Sequence, residues 1–102
     1  MTTASALSVP LVNSTGPFRT AEGILFQPLE REAVFLNLKS EKYFGLDPVG
    51  ARIWSLLAET QDVEATVQTM LREYDVEESR LRQDVTALIG RMQEQGLLDA
   101  SR

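Results

Sequence analysis

The chain has 102 residues, 43% of them hydrophobic and 25% charged, which leaves room for one domain with one modest core and is unlike a disordered or fibrous protein. It contains neither cysteine nor histidine, so disulfides, thiolate and imidazole metal sites, Cys nucleophiles and imidazole acid–base pairs are all excluded. A formal charge of −5 opposes tight binding to a phosphate backbone, because Lys and Arg drive that binding by displacing counterions, and nucleic acid is not an expected partner.

No apolar run approaches the roughly 20 residues of a membrane span, and the N-terminus lacks the charged-then-apolar pattern of a secretory signal. The expected compartment is the cytoplasm, with no membrane partner. Residues 1–20 begin with Ser, Thr, Ala and Pro around scattered aliphatics and are expected to form a flexible arm. A folded domain is expected over 21–99, followed by a short tail at 100–102.

Apolar density rises at Ile24-Leu25-Phe26, a first strand that Pro28 ends or places at an edge, since proline cannot donate to a ladder. Ala33 to Leu38 and Lys42 to Leu46 form a hairpin. Closing its turn over Ser40-Glu41 pairs Leu38 with Tyr43, Asn37 with Phe44, Leu36 with Gly45 and Phe35 with Leu46. Phe35, Phe44 and Leu46 then share one face, and Val34, Leu36, Leu38 and Tyr43 the other. With both faces apolar, such a sheet is covered on both sides or keeps a patch for a partner. Its last strand runs straight into a helix, which leaves one edge without a strand neighbour and open to another chain.

Three helices are predicted. Asp47-Pro48 supplies an N-cap and a proline at the first helical position, with a stripe of Val49, Ile53, Leu56 and Leu57 and Trp54 beside it as packing. Asp62 caps the second helix, whose Val63, Val67, Met70, Leu71 and Tyr74 recur at helical spacing. After a tight Tyr74-Asp75-Val76 link, the third carries Leu81, Val85, Leu88, Ile89 and Met92, with Gly96 as its stop and Leu97 and Leu98 folding back.

This α+β layout, a short sheet followed by three helices with a tight turn between the last two, is winged helix-turn-helix-like, so DNA binding is weighed first. Between Asp75 and Gln95 five acidic residues face three arginines, a net charge of −2 that repels a duplex. Catalysis fares no better. Glu30, Glu32, Glu41, Asp47, Glu77 and Glu78 are scattered over turns and helix starts, with no spacing of a metal box or carboxylate dyad.

From Ile24 to Leu98 the chain resembles the PqqD-like family, the small peptide-binding domains called RiPP recognition elements. The segments that carry the resemblance are Lys42-Tyr43-Phe44-Gly45-Leu46-Asp47, Gly50-Ala51-Arg52-Ile53-Trp54-Ser55-Leu56-Leu57, Asp62-Val63-Glu64, Tyr74-Asp75-Val76, and Asp84-Val85 followed by Leu88 and Gly96-Leu97-Leu98. The strand and the helix after it look more like the lasso-peptide branch than the quinone-cofactor branch.

The resemblance implies a three-stranded antiparallel sheet packed on three helices, with no enzyme activity and no cofactor. It also implies that the leader of a ribosomally made precursor peptide adds as a strand beside the third strand, facing the third helix. Carried over, Tyr43, Phe44, Gly45 and Leu46 supply the ladder and part of an apolar wall, and Leu81, Asp84, Val85, Leu88 and Arg91 face the cleft. The implied partners are the precursor leader and a separate modifying enzyme, a transglutaminase-like leader peptidase in the lasso branch. The chain itself is a monomer or an edge-paired homodimer.

Each assignment has a plainer reading. Phe44, Leu46, Leu81, Val85 and Leu88 are also ordinary core candidates. Asp84 is placed to pair with Arg80 or Arg91, Gly45 marks a bulge or a close approach, and Gly90 marks close packing or a widened cleft. The alternative functions are a winged-helix DNA-binding regulator and a PqqD-type chaperone for a quinone-cofactor precursor.

Overall fold

The computed structural model of the chain describes residues 17–99. Three strands come first, β1 (Ile24–Pro28), β2 (Ala33–Asn37) and β3 (Tyr43–Leu46), and three helices follow, α1 (Pro48–Thr60), α2 (Val63–Glu73) and α3 (Glu78–Glu94). The sheet is antiparallel in the order β1-β2-β3, so the expected α+β fold is the one observed.

The hairpin register differs from the expected one by two residues. β2 pairs with β3 as Ala33–Leu46, Val34–Gly45, Phe35–Phe44 and Leu36–Tyr43. The cause is Asn37, whose side-chain oxygen accepts from the N–H groups of Lys39 at 2.9 Å and Ser40 at 3.1 Å. Its carbonyl accepts from Glu41 N–H at 2.8 Å, and Glu41 takes the left-handed conformation at φ 63°. This Asx turn widens the loop to Leu38–Glu41. A slip of two keeps every side chain on its face, so the expected segregation survives: Ala33, Phe35 and Leu46 are buried, Phe44 is half-buried, and Tyr43 is 77% exposed on the far side.

The buried face packs on the helices. Phe35 lies at the centre, its ring 5.0 Å from Phe26 and edge-on to Trp54 at 5.5 Å. Ile53, Leu56 and Leu57 of α1, Val67 and Met70 of α2, and Leu81, Val85, Leu88, Ile89 and Met92 of α3 complete one core. Thr66, the one buried polar side chain among the described residues, donates to the Asp62 carbonyl at 3.0 Å.

The helix boundaries follow the capping chemistry. Gly50 N–H donates to Asp47 Oδ1 at 2.7 Å and Glu64 N–H to Asp62 Oδ1 at 3.1 Å. At the end of α3, Gly96 turns left-handed at φ 70°, and Leu97 N–H reaches back to the Met92 carbonyl at 2.9 Å. Leu97 is buried and Leu98 bridges to Thr20.

The expected arm overlaps the fold at its last residues. Residues 1–16 and 100–102 lie outside the described ones. Phe18, however, is buried, and its backbone is held by Gln61, which accepts from Phe18 N–H at 2.8 Å and donates to its carbonyl at 3.0 Å.

Two ion-pair groups fasten the helices together. Arg52 of α1 grips Glu73 of α2 through two hydrogen bonds, and Arg82 of α3 bonds both Glu64 of α2 and Glu78. The hydrogen bonds from Arg82, then Gln68, hold the Glu64 carboxyl down from 4.5 to about 2. Because the folded value lies below the unfolded one, its contribution is complete above pH 4.5 and is lost as the pH falls towards 2. In Arg82→Gln, carboxylate titration by NMR should return Glu64 most of the way to the ordinary range. A midpoint unmoved by the substitution would show that Arg82 is not its cause.

Candidate functional site

Hydrogen-bond alternation decides which backbone groups of the sheet are free. Asn37 N–H donates to the Lys42 carbonyl at 2.8 Å, so the bonded pairs across β2 and β3 are Asn37/Lys42, Phe35/Phe44 and Ala33/Leu46. Tyr43 and Gly45 therefore turn their N–H and C=O groups away from β2. Among the described residues no strand pairs with that edge.

The opposite edge, β1, is less receptive. There Leu38 N–H bonds the Gly23 carbonyl and Leu29 N–H the Glu32 carbonyl, so Ile24, Phe26 and Pro28 are the outward-facing residues. Pro28 has no N–H, and that of Ile24 is spent on the Ala21 carbonyl at 3.1 Å. Among the described residues, only β3 offers two consecutive outward positions with donors that no other strand uses.

The free edge of β3 looks across a cleft at α3. A cavity of about 350 Å³ is lined by Gly45, Leu46 and Asp47 on the strand side, by Asp84, Ala87, Leu88 and Arg91 on the helix side, and by Val49, Gly50 and Ile53 of α1 at its floor. Gly45 is exposed, and a Cβ built on it meets nothing within 4 Å, so its lack of a side chain leaves the edge open to an incoming backbone. Gly50 is small for another reason. A Cβ there would sit 3.2 Å from Asp47 Oδ1 and 3.4 Å from Leu46 Cδ2, against the capping carboxylate and the last strand residue.

The expected site residues divide into three groups. Gly45, Leu46, Asp84, Leu88 and Arg91 meet around the cleft. Phe44 packs half-buried against the core, and Tyr43 lines a separate hollow with Lys42, Glu94 and Leu97 at the hairpin end of α3. Leu81 lines a neighbouring cavity, while Val85 is fully buried and belongs to the core beneath the cleft. Asp84 pairs with Arg80 at 3.5 Å, both well exposed, a solvated link between helical neighbours.

Asp47, Val49, Gly50, Ile53 and Ala87 also line the cleft, and sequence reasoning did not assign them to it. The available signal was covalent: Val49 and Ile53 share a face of a helix that starts two residues beyond β3, so it must lie at the strand's end. Gly90 lines neither cleft cavity and a Cβ there meets nothing within 4 Å, so close packing does not account for it.

The arrangement is suited to holding a strand: two outward main-chain positions, an apolar floor and a lining that carries two acids, Asp47 and Asp84, and one arginine, Arg91. Among the described residues no group of three or more acidic side chains is placed to hold a metal, and no helix is long and apolar enough to cross a membrane.

The model of the family described as coenzyme PQQ synthesis protein D (PqqD) matches residues 32–98. Two solved structures are similar throughout the domain. TbiB1 in complex with the TbiA(beta) leader peptide superposes with a TM-score of 0.73 at 31% identity, covering 82% of this chain and 98% of that one. A lasso peptide synthetase B1 complexed with its leader peptide gives a TM-score of 0.74 at 26% identity, over 80% and 96% of the two chains. No curated protein matches the chain.

Proposed function

The chain belongs to the PqqD family, and from that premise we propose that it is a non-catalytic recognition protein that binds the leader of a ribosomally made precursor peptide by strand addition to β3. The observation that carries this reading is the β3 edge, where Tyr43 and Gly45 present backbone groups that have no strand partner among the described residues, across a cleft from α3. Main-chain bonds along such an edge set the register and are indifferent to sequence, while the cleft floor and the Asp84–Arg91 rim select among side chains.

The two similar structures both hold leader peptides and one is a lasso peptide synthetase B1, which favours a precursor of lasso type. Bound in this way, the precursor is tethered beside an enzyme made separately. Raising its effective concentration there requires no bond-making group on this chain. The resemblance points to a transglutaminase-like leader peptidase as that enzyme. A PqqD-type role toward a quinone-cofactor precursor uses the same edge and differs only in the peptide delivered. DNA reading is disfavoured by the net charge of −2 over Asp75 to Gln95.

Fluorescence anisotropy separates these readings. Labelled leader peptides of lasso precursors, the TbiA(beta) leader among them, should bind saturably and with weak salt dependence, and labelled duplex DNA should not bind at moderate salt. Steeply salt-sensitive DNA binding with no response to any leader would overturn the proposal.

A further inference from the structure

We propose that Arg91 selects the guest by its charge: it takes an aspartate or glutamate of the added strand, at a position whose side chain points toward α3. The inference rests on the strand-addition reading and deepens it, naming the class of peptide that the β3 cleft prefers.

Three charged side chains line the cleft, and two of them already have partners within the fold. Asp47 caps α1 through Gly50 N–H at 2.7 Å, and Asp84 pairs with Arg80 at 3.5 Å. Arg91 is exposed and forms no side-chain hydrogen bond or ion pair among the described residues. The other helical arginines are all engaged: Arg52 with Glu73, Arg82 with Glu64 and Glu78, Arg80 with Asp84, and Arg72 with the Thr69 hydroxyl.

The helix itself offers Arg91 no acid at the most favourable spacing, since Ala87 and Gln95 stand four residues to either side. Glu94, three residues on, lines the hollow beside Lys42 and Tyr43. A cation in the last turn does complement the carbonyl end of α3, but that effect is indifferent to whether the side chain lies on the cleft.

The ladder fixes where the acid must stand. Residues paired across a ladder project their side chains to the same face. Phe44 and Leu46 project toward the helices, whereas Tyr43 projects to the far side and Gly45 shares its phase. Guest residues opposite Phe44 or Leu46 therefore face α3, and those opposite Tyr43 or Gly45 do not. Arg91 and Leu46 share the cleft, so an acid in phase with Leu46 meets the guanidinium, while one moved by a single residue points to the far face. The guanidinium fork matches a carboxylate with two parallel hydrogen bonds. The chain's overall charge of −5 disfavours an acidic guest, so a preference for an acid must come from this one contact.

The test uses the full chain and displayed random peptides, selected in parallel on the wild type and on Arg91→Gln. That variant keeps a long polar side chain, and its fold is checked by far-ultraviolet circular dichroism. The wild-type consensus should carry Asp or Glu at one fixed position of the strand-forming segment, and the Arg91→Gln consensus should lack it. In one selected peptide, changing that acid to its amide should weaken wild-type binding about five- to tenfold, with no change on Arg91→Gln. Moving the acid by one residue should cost as much as removing it, and Arg91→Glu should prefer the same peptide with lysine at that position. A consensus without a fixed acid, or an amide change that weakens binding to both proteins equally, would overturn the role of Arg91 and leave strand addition intact. Undiminished binding of the selected peptides to Gly45→Pro would instead contradict strand addition itself.

Discussion

Gly45→Pro should weaken leader capture severely and leave the domain folded. The N–H of Gly45 points away from β2, so a proline there removes no bond of the existing ladder, and proline is tolerated on an edge strand with its ring toward solvent. The guest loses more. It forfeits the donor at one of the two outward positions, and the pyrrolidine ring occupies the space its backbone needs. One or two lost hydrogen bonds plus that clash amount to about 2–3 kcal/mol, or roughly 30- to 150-fold in affinity. Gly45→Ala is the matching control: its Cβ meets nothing within 4 Å, so the apo fold should be unaffected and the loss of affinity smaller. Wild-type affinity in the proline variant would show that the leader does not use this edge. Unfolding of the variant would show that position 45 is internal to the fold.

Phe35→Ala should have the largest effect on stability. The ring is completely buried, packs on Phe26 and Trp54, and lies opposite Phe44 in the register. Deleting a buried phenylalanine ring costs about 3–5 kcal/mol, much of what a domain of this size has to lose. Urea unfolding followed by the fluorescence of Trp54, the single tryptophan, measures it directly. Peptide binding should fall with it, because β3 is seated on β2 through the Phe35–Phe44 pair. A loss under about 1 kcal/mol would mean that Phe35 is not the keystone of the sheet–helix interface.

Much of this fold is legible because its signals are local. Asp47-Pro48, Asp62 and Gly96 mark helix ends through caps and a left-handed turn that depend on a few neighbouring residues. The sheet's two faces are legible because strand periodicity is two, and an error of two residues in register leaves them unchanged. The register itself escapes because it depends on Asn37 choosing to cap its own turn, one of several turns the same residues permit.

Phe18 escapes for the opposite reason. It is an isolated aromatic ahead of any periodic run, buried by its hydrogen bonds to Gln61 more than forty residues away. The free edge and the wall formed by α3 are readable from order alone. The cleft floor is not, because whether Val49 faces core or groove depends on how α1 and α3 diverge in space. Leu81 and Leu88 illustrate the overlap: each is buried as core and also lines a cavity, so core and site are not exclusive assignments.

On binding, a leader peptide should become the fourth strand of this sheet. Amide hydrogen exchange, followed residue by residue with and without a saturating leader peptide, tests this most directly. Tyr43 and Gly45, whose N–H groups have no strand partner among the described residues, should exchange rapidly in the free protein and become strongly protected on binding. Phe44 and Leu46, already bonded to β2, should change little. Saturable binding that leaves Tyr43 and Gly45 as fast as before would contradict strand addition at β3.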